Sequence, residues 1–495
     1  MKKYKYILAI ILGVITINSC DESGLEQINK NNIAPETFFS TSSQVQASVN
    51  AIYANLQTRG LYARHMFFMM DNMAHENGGN NQLEADKRQY LDFSFTSAHG
   101  AIAAYWNSCY KGINKANFVI GNQDKINELP DGVLNQTNKA KFIGEAKFLR
   151  GLYYFFLVTR YGDVPLITSI PEDGVGSPRS PKADVYQQIV TDLKDASNTL
   201  LSKSSEENGR ATKEAAIALL GKVQLFRGEH RLALDEFEKI YGDYQLENNF
   251  YDNFKEETEH GVESIFEVVY DDDLGNSAVW NSDSSGEGLN EVTFRGQEYG
   301  FNDWFNVFPS DDLLNEFETG DTRFSDTFYV NGDTFGANNE FTVNAFPSNG
   351  GGNAGWKKYQ NYYKDEHEDM ASGINCKVIR YADVLLMMAE CENEVGTQAK
   401  AIDYINEVRE RPSVSLTPLA TTLTKPQVFD AIVHERKVEL AGEQCRFNDL
   451  IRWGLAGTVL NGTGFQSGKH EVFPIPLSEI SSNENITPAD QNTGY

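Results

Sequence analysis

Two stretches of the sequence combine aromatic residues with amides and charges in a way that suits the binding of neutral saccharides. Sugars offer hydroxyl groups and apolar C–H faces, so a binder needs flat aromatic surfaces flanked by polar side chains. The first stretch, residues 64–89, contains several such polar residues, namely His65, Asp71, Asn72, Asn80, Asn81 and Gln82. The second, residues 280–304, contains Trp280, Arg295, Tyr299 and Trp304. Trp356 in a later Gly-rich segment is a further candidate, and packing in the core is the competing interpretation for every aromatic.

Catalytic and metal-binding patterns are either missing from this sequence or unspecific. A glycosidase would use two carboxylates about 5–9 Å apart, but the chain has 70 acidic residues and pairs arise without meaning. No His-Glu-x-x-His motif and no Gly-x-Ser-x-Gly elbow occur. The sequence therefore predicts no enzyme, no cofactor and no metal centre, and it leaves an incidental calcium ion as an open alternative.

The charge and the N-terminus indicate where the protein works. A net charge of −27 without a basic tract after the first residues excludes nucleic acid as a partner. Three lysines in Met1–Lys5 precede the apolar run Tyr6–Ile17, which is shorter than the roughly 20 residues of a membrane-spanning helix. We interpret residues 1–19 as a lipoprotein signal peptide, Cys20 as the lipidated residue and residues 20–40 as a tether. Ordinary cleavage that leaves Cys20 as a free thiol is the alternative.

Helices must position the candidate segments, and apolar spacing predicts several. Apolar residues recur at three- and four-residue steps in 44–56, 101–122 and 144–160. The last of these helices ends at Gly162, with Pro165 just beyond it. Residues 60–100 read as loop-like between the first two helices.

A repeated spacing of small residues predicts paired helices. Gly221 and Ala233 lie twelve positions apart and Phe237 follows, which is the tetratricopeptide spacing of two antiparallel helices with an aromatic between them. Ala389 and Ala401 repeat it. Between the copies, residues 263–270 read as a strand, and residues 271–375 are rich in Gly, Asn, Asp and aromatics, as in a functional insertion. Helix returns at 427–455.

The stretch GEAKFLRGLYYFFLVTRYGDVPL at residues 144–166 resembles the signature helix of the SusD/RagB family, the outer-membrane nutrient-binding lipoproteins of Bacteroidetes. Other segments resemble further family landmarks in the same order: Trp106, Glu263–Tyr270, Phe308–Leu314, Ile379–Leu386, His434–Leu440, Arg446–Trp453, Phe473–Pro476 and Gln491–Tyr495. Most landmarks read as structural. We expect ion pairs between Arg380 and Asp383, and among Glu435, Arg436, Asp449 and Arg452.

The resemblance implies a mainly α fold in which tetratricopeptide-like helix pairs form a right-handed superhelical scaffold. That scaffold supports an irregular, loop-rich region with few short strands. The implied division is an N-terminal SusD-like region at 41–250 and a C-terminal region at 251–495, with the ligand segment at 271–375, helices at 376–455 and a polar tail.

The resemblance also implies a function. Such proteins are non-catalytic lipoproteins of the cell surface that capture oligosaccharides and close like a lid over a SusC-like TonB-dependent transporter in the outer membrane. The alternatives are a peptide-binding, RagB-like nutrient receptor and a tetratricopeptide-type protein-interaction module.

Overall fold

The computed structural model describes residues 38–171, 174–274, 291–344, 346, 352–368, 370 and 372–495. Helices dominate this part of the chain, and its strands are only two to five residues long. The predicted mainly α fold with few short strands is confirmed. Within the same ranges, no helix combines the length and the apolarity that a membrane crossing requires.

The α-helices of the described residues are α1 Ser42–Ala54, α2 His65–Met73, α3 Ala85–Leu91, α4 Gly100–Gly121, α5 Gln123–Glu128, α6 Gln136–Tyr161, α7 Lys182–Thr199, α8 Lys213–Phe226, α9 His230–Phe237, α10 Arg295–Tyr299, α11 Asp311–Leu314, α12 Arg323–Thr327, α13 Tyr381–Val395, α14 Gln398–Arg409, α15 Lys425–Glu439, α16 Arg446–Arg452, α17 Ala456–Val459 and α18 Leu477–Ser482.

The strands are β1 Asn77–Gly79, β2 Val164–Pro165, β3 Arg179–Ser180, β4 Ser264–Val268, β5 Val307–Pro309, β6 Phe328–Val330, β7 Thr334–Phe335, β8 Phe341–Thr342, β9 Ala354–Trp356 and β10 Cys376–Arg380. They form two-stranded antiparallel sheets that pair β1 with β5, β4 with β10, β2 with β3, β6 with β9 and β7 with β8.

Both predicted helix pairs form, because small residues let the helices approach closely. α8 packs on α9 and α13 packs on α14. A Cβ atom at Gly221 would lie 2.4 Å from the ring of Phe237, which is the aromatic contact that the spacing predicts. Ala389 and Ala401 are fully buried. The helix predicted at 144–160 is the mostly buried C-terminal part of α6, which packs against α4 and α7.

Two predictions about secondary structure were wrong. The stretch 60–100 is not loop-like, since it contains α2 and α3. All nine residues of α2 are buried, so its sequence HMFFMMDNM shows no apolar stripe that would reveal a helix. The helix expected at 427–455 is broken, because α15 ends before Gly442, which has a φ of 69°. Glycine adopts this left-handed conformation without steric strain.

The loop-rich insertion begins and ends at one pair of strands. β4 lies in the predicted strand 263–270 and pairs with β10, with Val268 opposite Cys376. The chain therefore leaves the helical scaffold after β4 and returns to it at β10. Inside the insertion, a second apolar cluster forms around Tyr299, Phe328 and Trp356 and also includes Phe67 and Phe68 of α2.

A buried network of charges fixes the insertion to the helices behind it. Glu439 of α15 is fully buried and accepts hydrogen bonds from Arg323 (2.9 Å), Arg380 (2.7 Å) and Arg411 (2.6 Å). Burial opposes ionisation of this carboxyl, but the three guanidinium groups outweigh it and hold the pKa of Glu439 well below its usual range. Arg380 and Arg411 also share Glu263, which precedes β4.

The ion pair expected between Arg380 and Asp383 is not formed. Asp383 instead pairs with Lys222 at 2.9 Å and with Arg436 at 2.8 Å. Arg380 lies at the end of β10 in an extended conformation, before α13 begins, and its guanidinium is already paired with Glu263, Glu439 and Glu443. The predicted pairing of Arg436 with Asp449 is confirmed at 2.7 Å, and it links α15 to α16.

Candidate functional site

The two predicted ligand segments meet at one surface because β1 pairs with β5. Asn77 lies opposite Pro309 and Gly79 opposite Val307. Gly78 is needed for this pairing, since a Cβ atom there would lie 2.3 Å from the ring of Phe308. The tip that follows β1 therefore lies next to the residues that precede β5.

Asn80 joins these two tips. Its backbone N–H donates to the carbonyl of Asn306 at 3.1 Å, and its side-chain amide donates to the carbonyl of Phe305. Its side-chain oxygen accepts from the backbone N–H of Gln82 at 2.7 Å. Asn80 is only 1% exposed, so it positions the surface and is not part of it. Its neighbours Asn81 and Gln82 are exposed.

Trp304 is the aromatic side chain that this arrangement leaves at the surface. It is 40% exposed, and its backbone N–H donates to the carbonyl of Gln297 at 3.2 Å. When the Gln297 amide is oriented to suit its neighbours, its oxygen accepts from the indole N–H at 3.3 Å and its nitrogen donates to the carbonyl of Glu368 at 3.1 Å. An exposed indole held in this way offers a fixed flat face to a sugar ring.

Four other predicted site residues lie beneath this surface. Tyr299 and Asp71 are fully buried, and the Tyr299 hydroxyl donates to Asp71 Oδ2 at 2.9 Å. Trp356 is also fully buried, and its indole N–H donates to Asn77 Oδ1 at 2.8 Å. Arg295 donates to the carbonyl of Gly442 at 2.7 Å and is 2% exposed. These side chains hydrogen-bond to one another and to the backbone, so they support the surface instead of forming it.

The buried carboxyl groups in this layer are strongly perturbed. Burial raises the pKa of Asp71, and Arg295, whose guanidinium lies 3.6 Å away, lowers it only in part. Burial and the Asp71 charge together raise the pKa of Glu76 to about 8. Glu76 Oε2 accepts from the backbone N–H of Gly442 at 3.1 Å, and among the described residues no group bonds Oε1. The layer therefore holds a carboxyl group that stays protonated near neutral pH.

A third segment, residues 361–368, completes the surface on the other side of Trp304. Asn302 donates to the carbonyl of Glu366 at 3.0 Å. Asp303 Oδ2 accepts from the Tyr362 hydroxyl at 2.6 Å and from the backbone N–H of Glu368 at 2.8 Å. Beside this junction opens a cleft of about 560 Å³, lined by Asp272, Asp273, Asn361, Asp365, Glu366, His367 and Glu368.

The remaining candidates divide between the interior and the undescribed residues. His65 and Asn72 are buried in α2. Trp280 and Cys20 lie outside the described residues, as does all of the tether except its last three positions, so their roles stay predictions. Among the described residues, no group of three or more His, Cys, Asp or Glu side chains is arranged to hold a metal ion.

Sequence reasoning missed the residues that hold the surface together. These residues contact Trp304 or residues about sixty positions away in the chain; they are Gln297, Asn302, Asp303 and Tyr362. A sequence signal for the 361–368 segment is the acidic stretch Asp365–Asp369 inside the predicted ligand segment 271–375.

Comparison with known families accounts for almost the entire chain after residue 24. A profile described as the SusD family matches residues 239–495. A second profile, described as starch-binding associating with outer membrane, matches residues 25–225.

Individual proteins show the same likeness. SusD-like protein P2 of Formosa agariphila is 27% identical over the full length of both chains. A SusD superfamily protein of Bacteroides vulgatus superposes with a TM-score of 0.78 at 25% identity, over 93% of this chain and all of the other. A laminarin-binding SusD-like protein superposes with a TM-score of 0.77 at 26% identity, over 92% of this chain and all of the other.

Proposed function

Because this chain belongs to the SusD family, we propose that it is a non-catalytic, glycan-binding lipoprotein of the bacterial cell surface. The observation that carries the proposal is the exposed indole of Trp304 on a tip that Asn80 joins, by hydrogen bonds to the Trp304 and Phe305 carbonyls, to the exposed residues Asn81 and Gln82. The structural likeness to a laminarin-binding protein supports the same assignment.

The surface suits capture of a sugar chain more than chemistry on it. The apolar face of a pyranose stacks on the indole of Trp304, while ring hydroxyls bond the amides of Asn81 and Gln82. Loops fixed on a rigid scaffold keep these groups in place before the ligand arrives, which reduces the entropy lost on binding. Trp280 is a second aromatic candidate from the sequence.

The perturbed carboxyl groups do not form a glycosidase site. A glycosidase acid must reach the glycosidic oxygen, with a second carboxylate about 5–9 Å away across the sugar. Among the described residues, burial raises the pKa values of Glu76 to about 8, of Glu145 to about 7 and of Glu259 to about 8. Glu76 and Glu145 are at most 2% exposed, so a polysaccharide does not reach them. Glu259 is partly exposed, but the carboxylate near it, Glu267, is 3% exposed and pairs with Lys377. This burial supports a binding protein over an enzyme.

The proposal includes the location and the partner. The description of the matching profile supports an association with the outer membrane. We propose that lipidation of Cys20 anchors the protein there, and that it hands its ligand to a SusC-like TonB-dependent transporter for which it acts as a lid. An intact-mass measurement of membrane-extracted protein tests the anchor: a diacylglycerol adduct on Cys20 is expected, and an unmodified Cys20 contradicts it.

Isothermal titration of the purified protein against a panel of glycans and a panel of peptides tests the function. We expect binding of at least one glycan, and a loss of at least tenfold in affinity for the Trp304→Ala variant, because the stacking face is removed. Tyr241→Ala removes another exposed aromatic, 44% exposed on the helical side, and should leave the affinity unchanged.

Tight binding of peptides with no glycan binding would replace the proposal with a peptide receptor or an interaction module. Turnover of any glycan by the pure protein would contradict the non-catalytic assignment.

A further inference from the structure

The described residues that border the cleft beside Trp304 are acidic on both sides. Residues 271–274 contain three Asp residues and no Lys or Arg. Residues 361–368 contain three Asp or Glu residues, one His and one Lys, which is Lys364. The described border of the cleft therefore carries more negative than positive charge.

The described residues place four of these carboxylates around one opening. Asp272 and Asp273 lie on one side of the cleft and Asp365 and Glu366 on the other, and all four are exposed. Glu368, which is buried, also contributes to the lining. Asn302 and Asp303 hold the 361–368 segment against the residues before Trp304, so the acidic cleft adjoins the segment that carries Trp304.

A separate feature points to the kind of ligand that the cleft accepts. Asn361 lines the cleft and is 6% exposed, yet its side-chain oxygen has no hydrogen-bond partner among the described residues. A buried acceptor without a donor is costly. No side-chain hydrogen bond among the described residues fixes the orientation of this amide, so the amide suits a sugar hydroxyl, which both donates and accepts.

The nearby cations offset the charge of the acidic cleft only in part. Lys364 Nζ pairs with Glu256 at 2.5 Å and also interacts with Asp272 and Asp365, so one ammonium group is shared among several carboxylates. Arg88 lies at the opposite edge, where it donates to the backbone carbonyl of Asn80. His367 is exposed, and its Nδ1 lies 3.7 Å from Asp303 Oδ1.

We infer that this surface selects saccharides that are neutral or carry amines, and that it repels polyanionic chains built from uronic acids or sulfated sugars. The inference rests on the proposed glycan-binding function and names the substrate class of the same site. Like charges brought to one open cleft repel most strongly at low salt and little when the Debye length falls to a few ångströms.

Matched polysaccharide pairs test this selection. Affinity electrophoresis with EDTA compares laminarin with carboxymethyl-laminarin, starch with carboxymethyl-starch, and hydroxyethyl-cellulose with carboxymethyl-cellulose. For each neutral polymer that binds, we expect its charged counterpart to bind at least about tenfold more weakly at 20 mM NaCl, with the difference shrinking at 500 mM NaCl. Equal or tighter binding of the charged member would overturn the inference.

Charge-neutral variants locate the effect. The quadruple variant Asp272→Asn, Asp273→Asn, Asp365→Asn, Glu366→Gln changes only exposed side chains and should reduce the difference at 20 mM NaCl to less than about threefold. The matched control carries Glu128→Gln, Asp235→Asn, Asp403→Asn and Asp430→Asn, which are exposed positions on helices outside the cleft, and should keep the full difference.

The possible outcomes distinguish a failure of this inference from a failure of the proposed glycan-binding function. A difference that persists in the quadruple variant would refute the role of the cleft while leaving glycan binding intact. Binding of only the charged polymers would refute the selection against polyanions but retain the glycan-binding function. Binding of a charged polymer that appears only when calcium replaces EDTA would also refute the selection against polyanions. If no polymer binds under any condition, the proposed function fails and the inference fails with it.

Discussion

Replacing Tyr299 with phenylalanine tests whether Tyr299 supports the binding surface from below or contacts the ligand itself. The substitution deletes one hydroxyl oxygen that donates to Asp71 Oδ2 at 2.9 Å and accepts from Asn77 Nδ2 at 3.1 Å. The ring keeps its packing against Phe67 and Trp356. Trp304 and the exposed amides are untouched, so the variant should lose stability and retain the affinity for glycans.

The expected loss follows from what the deletion leaves unpaired. Tyr299 is fully buried, so water does not replace its hydroxyl. Asp71 then keeps long side-chain contacts to Gln444 at 3.4 Å and to Arg295 at 3.6 Å, together with the backbone of Gln444. A buried group that loses its partner costs about 1–3 kcal/mol, and more when it is charged. We therefore expect the free energy of unfolding to fall by about 2–3 kcal/mol.

Urea unfolding followed by tryptophan fluorescence measures the change, and titration with a glycan that the wild type binds measures the affinity. Tyr241→Phe is the matched control: it deletes the same atom from a hydroxyl that donates to Glu407 at 2.6 Å on an exposed side chain. Solvent replaces that bond, so the loss should stay below about 1 kcal/mol. A Tyr299→Phe protein of wild-type stability, or one that loses tenfold in affinity without losing stability, would refute the assignment of Tyr299 to the support.

Three further substitutions test the scaffold. Burial raises the pKa of Glu76 to about 8 from an ordinary value near 4.5. Between these pH values the folded state keeps a proton on Glu76 that the unfolded state releases. The free energy of unfolding therefore falls as pH rises through this range, by on the order of 3–5 kcal/mol in all. Glu76→Gln should remove that fall in urea unfolding at pH 5 and pH 8, and an unchanged pH slope would count against it. Glu439→Gln removes the carboxylate that three buried arginines share and should lower the free energy of unfolding by about 3–5 kcal/mol. A loss under 1 kcal/mol would contradict a stabilising role for this charge network. Gly221→Ala puts a methyl group against Phe237 and should destabilise by about 1–3 kcal/mol, whereas Gly121→Ala, with open space around it, should be neutral or stabilising in the same assay.

The helical scaffold was predictable because its signals are local. Gly221 and Phe237 are close in the chain, and their spacing alone predicted the contact between α8 and α9. The apolar stripe in residues 144–160 likewise predicted the C-terminal part of α6. The failure at α2 shows the limit of this reasoning, since a helix that is buried on all sides has no polar face to mark its period.

The candidate site was predictable only as two regions. The sequence selected residues 64–89 and 280–304 by their chemistry, and both contribute to the surface through β1 and β5. It did not distinguish Trp304, which is 40% exposed, from Tyr299 and Trp356, which are fully buried. An aromatic ring with a polar edge suits a ligand surface and a hydrogen-bonded core equally well.

The sequence by itself therefore determined the family, the helix pairs and the acidity of the segments around the cleft, because spacing and composition are properties of the chain. Only the tertiary structure decided which of the selected residues lie at the surface and which lie below it. The physical reason is that burial depends on partners distant in sequence: Asp71 meets Tyr299 across 228 positions, and Asn77 meets Trp356 across 279. No local pattern carries that information.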